Sequence, residues 1–502
     1  MRNNLIVFIN GKKKEIKGKQ AFMNLSDYLR DELGDKGTKV VCEEGDCGAC
    51  TVIVGRPELC GVTADKNSRF QYRIVNSCIQ TMLQLDRCHI ISVEGLTPNQ
   101  SSMIHDGFKL NEVQQKMTEN HGTQCGFCTP GFVVGLTDLA QKNFGEKLND
   151  QQIKDALTGN LCRCTGYDPI IEAGKLTQTN KVKSFIQLYP EKKIYNEITK
   201  IEAQISINAK TISGEKDFFA SDKLEEILIY YNQYQNSQIL SGGSDLGVLT
   251  NKGRINPTKI ISLQNLGQLR TIKETDDYYS IGALCTWGEL ENFTQKHYPE
   301  FKKIIDVFAS PQIKNVATLA GNIINASPIS DSIPFLKVAN CKLELTSTDG
   351  VRLININDFY LGYKKLDLKA NEIVSSIHLP KVTKNQKFKL YKVSKRKDLD
   401  ISIFTGAFFL DFKNEKTLEL DDIRIAYGGV GPVVIRLQRT ENFLRGKKLS
   451  LNNVSEAKKI AIGEITPISD VRASSNYRFL LAQNILEKLF YELSTPKKKI
   501  KI

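Results

Sequence analysis

The sequence predicts a multidomain α+β protein, and three observations carry that prediction. The chain has 502 residues, too many for one ordinary domain. Its patterning changes along its length. Strand-and-turn alternation gives way to helical periodicity near residue 91, and a mixture of both follows residue 212. Its twelve cysteines are uneven, with ten before residue 165 and two after it.

The apolar share of 41% can bury several cores, and the charged share of 25% is that of a soluble globular chain. No window approaches ~18 consecutive apolar residues, so no membrane span is expected. The opening stretch has too short an apolar run for a signal peptide and reads as a strand turning at Asn10-Gly11. A cytoplasmic location follows as the expectation. The net charge is +13, but lysines are spread along the chain and mixed with acids. That suits a solvated surface better than a nucleic-acid footprint.

Five segments are expected. Residues 1–90 alternate strands and turns around one helical stretch, Leu25–Leu33. Residues 91–175 look helical. Thr129-Pro130 starts one helix, Asn149 or Asp150 caps another, and Gly159-Asn160 ends it. Residues 176–212, rich in Lys, Asn and Gln, read as a linker. Residues 213–388 and 389–497 mix helices with short apolar strands, with a break near Lys384-Asn385-Gln386-Lys387. With no export signal, clustered cysteines point to metal or redox chemistry rather than disulfides. Cys285 and Cys341, in apolar surroundings, read as core thiols.

The first constellation is Cys42-Glu-Glu-Gly-Asp-Cys47-Gly-Ala-Cys50. Its C-x4-C-x2-C spacing is that of plant-type 2Fe–2S proteins. Three thiolates from one loop must converge on one inorganic core, so the loop must curl, and Gly45 and Gly48 permit that. Backbone N–H groups in such a curl also face an anionic centre. A strand leaving at Thr51–Gly55 and another returning over Gln71–Cys78 bring Cys78 level with Cys50. Cys60 would lie beyond the far end of the outgoing strand, some ~15–30 Å away at ~3.3 Å per residue. Cys88 would overshoot. Cys78 is therefore the expected fourth ligand and Cys60 the alternative. A zinc site fits the spacing less well.

The second constellation pairs Cys125-Gly-Phe-Cys128 with Cys162-Arg-Cys164. One pair precedes a helix and the other follows one. Two antiparallel helices would bring both pairs to one end of a bundle, near a helix N-terminus that favours an anionic centre. Zinc stays open here on spacing alone. Arg163 could offset cluster charge or sit in a surface salt bridge.

In the second half, Ser241-Gly242-Gly243-Ser244 follows an apolar strand. Its small residues would let N–H groups approach phosphate oxygens. No dinucleotide fingerprint or Walker sequence accompanies it. Thr318-Leu-Ala-Gly321-Asn322 through Ser327-Pro-Ile-Ser-Asp331 adds hydroxyls, an amide and an acid suited to a pyrophosphate and a ribityl chain. The alternative is an ordinary polar loop.

These words resemble the xanthine dehydrogenase family of molybdenum hydroxylases. The cysteine motifs, with Asn76-Ser-Cys78, Gln124-Cys-Gly-Phe-Cys-Thr-Pro-Gly131 and Gly159-Asn-Leu-Cys-Arg-Cys-Thr-Gly-Tyr167, resemble its two iron–sulfur domains. Gly242-Gly-Ser-Asp-Leu-Gly247 and Val316-Ala-Thr-Leu-Ala-Gly-Asn322 resemble its FAD domain. The resemblance implies a β-grasp ferredoxin-like domain, a four-helix 2Fe–2S domain, a two-subdomain α+β FAD-binding domain and a small α+β C-terminal domain. It implies two 2Fe–2S clusters, one on Cys42, Cys47, Cys50 and Cys78 and one on Cys125, Cys128, Cys162 and Cys164. It implies FAD contacts from Ile239, Leu240, Ser241, Gly242, Gly243, Ser244, Asp245, Leu246, Phe308, Thr318, Leu319, Ala320, Gly321, Asn322, Asp331, Val374 and Lys392. Glu43, Asp46, Gly243 and Ala320 depart from residues common in the family at those positions.

The resemblance further implies an electron-transfer subunit with no catalytic acid, base or nucleophile of its own. A separate molybdopterin-binding large subunit, in a heterotetramer of two small and two large subunits, would oxidise xanthine or hypoxanthine. Electrons would pass through both clusters and FAD to NAD. The alternative is the same architecture in an aldehyde or other N-heterocycle hydroxylase using oxygen or quinone.

Overall fold

The computed structural model describes residues 1–57, 68–97 and 110–494. The chain forms two compact units. The first comprises Met1–Arg270 and the excursion Ser310–Ala317, and the second comprises Thr271–Ala309 and the chain from Thr318 onward.

The first unit opens on a five-stranded sheet. Strands β1 (Asn4–Ile9), β2 (Lys12–Lys17), β3 (Thr51–Pro57), β4 (Phe70–Asn76) and β5 (His89–Ile91) lie in the order β2-β1-β5-β3-β4. The β1–β2 turn is made by Asn10 and Gly11, both at positive φ, which suits the twist of a tight hairpin. β1 and β5 run parallel and the other neighbours antiparallel. The inner face buries Leu5, Val7, Ile9, Val52 and Val54 with Leu25 and Leu29. The Leu25–Leu33 stretch is not one regular α-helix. A single turn, Leu25–Asp27, runs into a π-helical turn, Tyr28–Glu32. Apolar spacing over so short a run does not separate the two.

Four helices follow: Glu112–Glu119, Thr129–Lys142, Asp150–Leu157 and Asp168–Leu176. They pack Val113, Met117, Phe132, Val133, Leu136, Ile153, Leu157 and Ile170 into one core. Asn149 caps the third helix reciprocally with Gln152, an arrangement worth about 1 kcal/mol.

The stretch read as a linker is folded. Helices Phe185–Leu188 and Glu191–Ile198 bury Phe185, Tyr189, Ile194 and Ile198, and strand Ile205–Thr211 begins the next sheet. Its many polar residues face outward and masked that periodicity. The second sheet of this unit orders Ile205–Thr211, Gly214–Ala220, Lys259–Ser262 and Gln238–Leu240, with the last two pairings parallel.

The second unit contains an antiparallel sheet in the order Ile272–Glu274, Tyr278–Gly282, Ile373–Pro380, Lys342–Ser347, Gly350–Asn355. A second antiparallel sheet, Gln386–Val393, Phe404–Asn414, Glu419–Gly428 and Ile435–Arg436, is accompanied by helices Gln438–Leu444, Leu451–Ile462 and Ser475–Ser494. Cys285 and Cys341 are core thiols, 1% and 0% exposed. No helix among the described residues is long and apolar enough to cross a membrane.

Candidate cysteine and flavin sites

The β3–β4 register sets the first site. Thr51 faces Asn76, so the residues flanking these strands meet. The Ser77 hydroxyl donates to the Cys50 carbonyl at 2.7 Å, and Cys78 follows. The loop before β3 curls through positive φ at Glu43, Gly45 and Gly48. The Asn76 side-chain amide donates to the Gly45 carbonyl at 2.6 Å and holds that curl closed. The amides of Glu44 and Cys47 point at the Cys42 sulfur, at 3.4 and 3.5 Å.

The four thiols contact one another in a chain, Cys47–Cys42–Cys78–Cys50, and this governs their ionisation. Contacts with the Cys47 and Cys78 thiols pull Cys42 far below the ordinary thiol range, and contact with Cys78 lowers Cys50. The partners Cys47 and Cys78 are driven up in turn, first by sharing a proton with Cys42. Cys60 lies outside the described residues. Cys88 is buried and contacts Arg56 instead.

The second site sits where the Thr129–Lys142 helix begins, with Cys128 as its N-cap residue. Cys125 and Cys164 sulfurs lie 3.4 Å apart. Cys128 contacts Cys162, and burial, then that contact, pushes its thiol up to about 12. Burial opposes ionisation of Cys162, but hydrogen bonds led by the Thr165 hydroxyl outweigh it and leave the thiol low. The Cys162 amide donates to the Tyr167 hydroxyl at 3.0 Å. Arg163 is exposed.

Among the described residues, no three His, Cys, Asp or Glu side chains close on a single ion. The four thiols of each set nonetheless lie within contact of one another, linked as Cys47–Cys42–Cys78–Cys50 in the first and paired as Cys125–Cys164 and Cys128–Cys162 in the second.

The two loops touch through their backbones. The Leu161 amide donates to the Cys47 carbonyl at 3.0 Å, and Cys162 is the next residue. A Cβ on Gly48 would stand 2.2 Å from the Gly159 carbonyl, and one on Gly131 would stand 2.2 Å from the Gly48 carbonyl.

The glycine turn joins the same unit. Gly243, at φ +73, precedes the Ser244–Asn251 helix. Gly242 has no room for a side chain, because a Cβ would meet the Val316 carbonyl at 2.1 Å. Gln84 and Gln80 side chains donate to the Gly242 carbonyl at 3.0 and 3.4 Å. At the far end of the helix, Asn251 donates to the carbonyls of Cys78 and Glu43, at 2.8 and 2.9 Å. The helix carrying Ser244, Asp245 and Leu246 is thus bolted to the first cysteine loop. Gln80, Gln84 and Asn251 had no signal in the sequence, being single amides without motif spacing.

Ile239, Leu240 and Ser241 lead into this turn in the first unit, whereas Phe308, Thr318–Asn322, Asp331, Val374 and Lys392 lie in the second. Thr318 caps the Leu319–Asn325 helix through the Gly321 amide at 3.0 Å. The Asn322 side-chain oxygen accepts from Ser330 and Ser332 hydroxyls, at 2.8 and 2.7 Å. Asp331 accepts from Lys392 at 2.6 Å and from Ser402, one bond on each carboxylate oxygen, which leaves lone pairs able to accept from a ligand hydroxyl. Both members of that ion pair are under a tenth exposed. Leu319, Ala320 and Val374 are buried, and Phe308 ends a helix with its ring 4.9 Å from Trp287.

Four sequence families match successive stretches of the chain. They are a 2Fe-2S iron-sulfur cluster binding domain over residues 7–82 and a [2Fe-2S] binding domain over 92–175. An FAD binding domain in molybdopterin dehydrogenase covers 212–382, and a CO dehydrogenase flavoprotein C-terminal domain covers 389–493. Among similar proteins, xanthine dehydrogenase of Oryza sativa subsp. japonica is 31% identical over 88% of this chain and 36% of its own length. Xanthine dehydrogenase 1 of Arabidopsis thaliana is 29% identical over 92% of this chain and 37% of its own. Aldehyde oxidase 1 of Bos taurus is 28% identical over 98% of this chain and 39% of its own. The chain therefore spans less than two fifths of these relatives. A carbon monoxide dehydrogenase structure from Hydrogenophaga pseudoflava shares the fold, with a TM-score of 0.51 and 23% identity over 54% of this chain and 94% of that one.

Proposed function

Because the chain belongs to the iron–sulfur and flavin proteins of the molybdenum hydroxylase family, of the xanthine dehydrogenase type, we propose that it is the electron-transfer subunit of a purine hydroxylase. Cys42, Cys47, Cys50 and Cys78 would hold one 2Fe–2S cluster, and Cys125, Cys128, Cys162 and Cys164 the other. FAD would be held by Ile239–Leu246, Phe308, Thr318–Asn322, Asp331, Val374 and Lys392. When bound, these groups supply one-electron carriers and a flavin able to exchange single electrons for a hydride.

What the chain's own residues do follows from burial and contact. Cys125 and Cys164 are exposed, beside Phe127 and Leu161, which are 47% and 51% exposed. That face is where a molybdopterin-binding large subunit would dock and deliver electrons. Cys50 and Cys78 are buried, and the Cys78 carbonyl is bonded to the helix that follows the glycine turn. That end would pass electrons toward flavin and then NAD. Between the ends, the Leu161-to-Cys47 hydrogen bond joins the two loops directly, and it is the observation that carries the proposal.

The substrate would be xanthine or hypoxanthine, and the assembly two copies of each subunit. Similarity to aldehyde oxidases supports a second reading, an aldehyde or N-heterocycle substrate with oxygen or quinone as acceptor. Purified protein should carry iron, sulfide and flavin and, once reduced with dithionite, show two distinct iron–sulfur EPR signals. Steady-state assays with the large subunit should give urate and NADH. Aldehyde oxidation without NAD reduction would select the second reading, and a colourless zinc protein would defeat both.

A further inference from the structure

Gln312 belongs by sequence to the stretch matching the FAD family, yet it sits in the first unit on the Ser310–Ala317 excursion. It is fully buried. Its side-chain nitrogen donates to the Asn160 oxygen at 2.9 Å and to the Thr51 hydroxyl at 3.2 Å. Asn160 lies two residues before Cys162, and Thr51 directly follows Cys50. The network closes on one atom. The Gly48 carbonyl accepts from the Asn160 amide at 3.1 Å and from the Thr51 hydroxyl at 2.6 Å. The Gln312 oxygen faces Gly159, where a Cβ would meet it at 2.1 Å. Asn315, on the same excursion, donates to the Ile74 carbonyl of β4 at 2.9 Å and anchors the segment.

We infer that Gln312 is a positioning residue that locks the two cysteine loops at a fixed separation and so governs electron exchange between them. The inference rests on the two-cluster reading above. One amide ties a residue beside a first-site cysteine to a residue near a second-site cysteine. No apolar side chain of the same size could do that, because it offers no donors. The Gln312 oxygen has no hydrogen-bond partner among the described residues, so the two bonds from its nitrogen are what hold this geometry. Hydrogen bonds near a cluster also bear on its potential.

The test uses the full flavin- and iron-loaded chain carrying Gln312→Leu, which keeps bulk and removes both donors. The expected result is retained iron and both EPR signals, with an altered spin–spin splitting when both clusters are reduced. Electron re-equilibration between clusters after flash reduction should slow several-fold. An unaltered splitting and rate, with only a lower melting temperature, would overturn the inference and leave Gln312 a packing residue. Should Gln312→Leu fail to load iron, Gln312→Met supplies the same two readouts. It keeps the length but has no N–H or O–H to donate to Asn160, so an unaltered splitting and rate there overturns the inference equally. Absence of two EPR signals in the unsubstituted protein would instead defeat the two-cluster reading itself.

Discussion

Cys50 and Cys78 are 1% and 2% exposed, whereas Cys125 and Cys164 lie open to solvent. The two sites offer the same four thiols. The first is closed by a strand register, by Asn76 and by a helix bonded to its fourth cysteine. The second is a pair of loops at one end of a helical bundle, with exposed Phe127 and Leu161 beside it. Identical donors in opposite surroundings leave Cys50 and Cys78 sealed from solvent and Cys125 and Cys164 open to it.

The largest effect should come from removing a cysteine at the closed site. Cys78→Ser should leave roughly half the iron and abolish one EPR signal. It buries a hydroxyl that the fold does not satisfy, at a cost of about 1–3 kcal/mol. Cys164→Ser should lose the other signal with a smaller fall in melting temperature, since water reaches the replacement. Equal losses of stability would break the comparison.

Glycine substitutions sharpen it. Gly48 and Gly126 both have positive φ, at +70 and +80. An alanine at either adds about 1–2 kcal/mol of backbone strain. At Gly48 the new methyl also strikes the Gly159 carbonyl, whereas at Gly126 the nearest atom is Thr123 Oγ1 at 3.8 Å. Overpacking adds about 1–3 kcal/mol at Gly48 alone. Chemical denaturation of both variants should show that gap. Gly48→Ala should also perturb both EPR signals, because its carbonyl is where the two loops meet.

The cysteine spacing made both thiol sets legible, since a short loop must curl to bring three sulfurs together and the glycines needed for that were visible. Pairing of Thr51 with Asn76 is what the alternating strands implied, and it places Cys78 beside Cys50. What the sequence hid were contacts between distant segments. Nothing near Gln312 or Asn251 marks them, because a single amide bridging residues hundreds of positions apart leaves no period. The polar surfaces of the Phe185–Leu188 and Glu191–Ile198 helices hid a buried face of only four large side chains. The Lys392 that pairs with Asp331 lies on a strand sixty-one residues later and was hidden in the same way.

Glu43 offers the smallest and sharpest contrast. It holds φ +56 in the closed loop, with its side chain exposed. Glycine there would relieve about 1–2 kcal/mol of left-handed strain. It would also give back about 0.5–1 kcal/mol through the greater freedom of the unfolded chain. Glu43→Gly should therefore stabilise the protein by up to about 1 kcal/mol, read by thermal denaturation. The Asn251 bond is to the Glu43 carbonyl and survives the change. Removing a carboxylate beside an anionic centre should also raise the midpoint potential of the first-site EPR signal while the second stays put. A shift in both signals would mean that the charge is felt equally at the closed and the open site, and the distinction between them would fail.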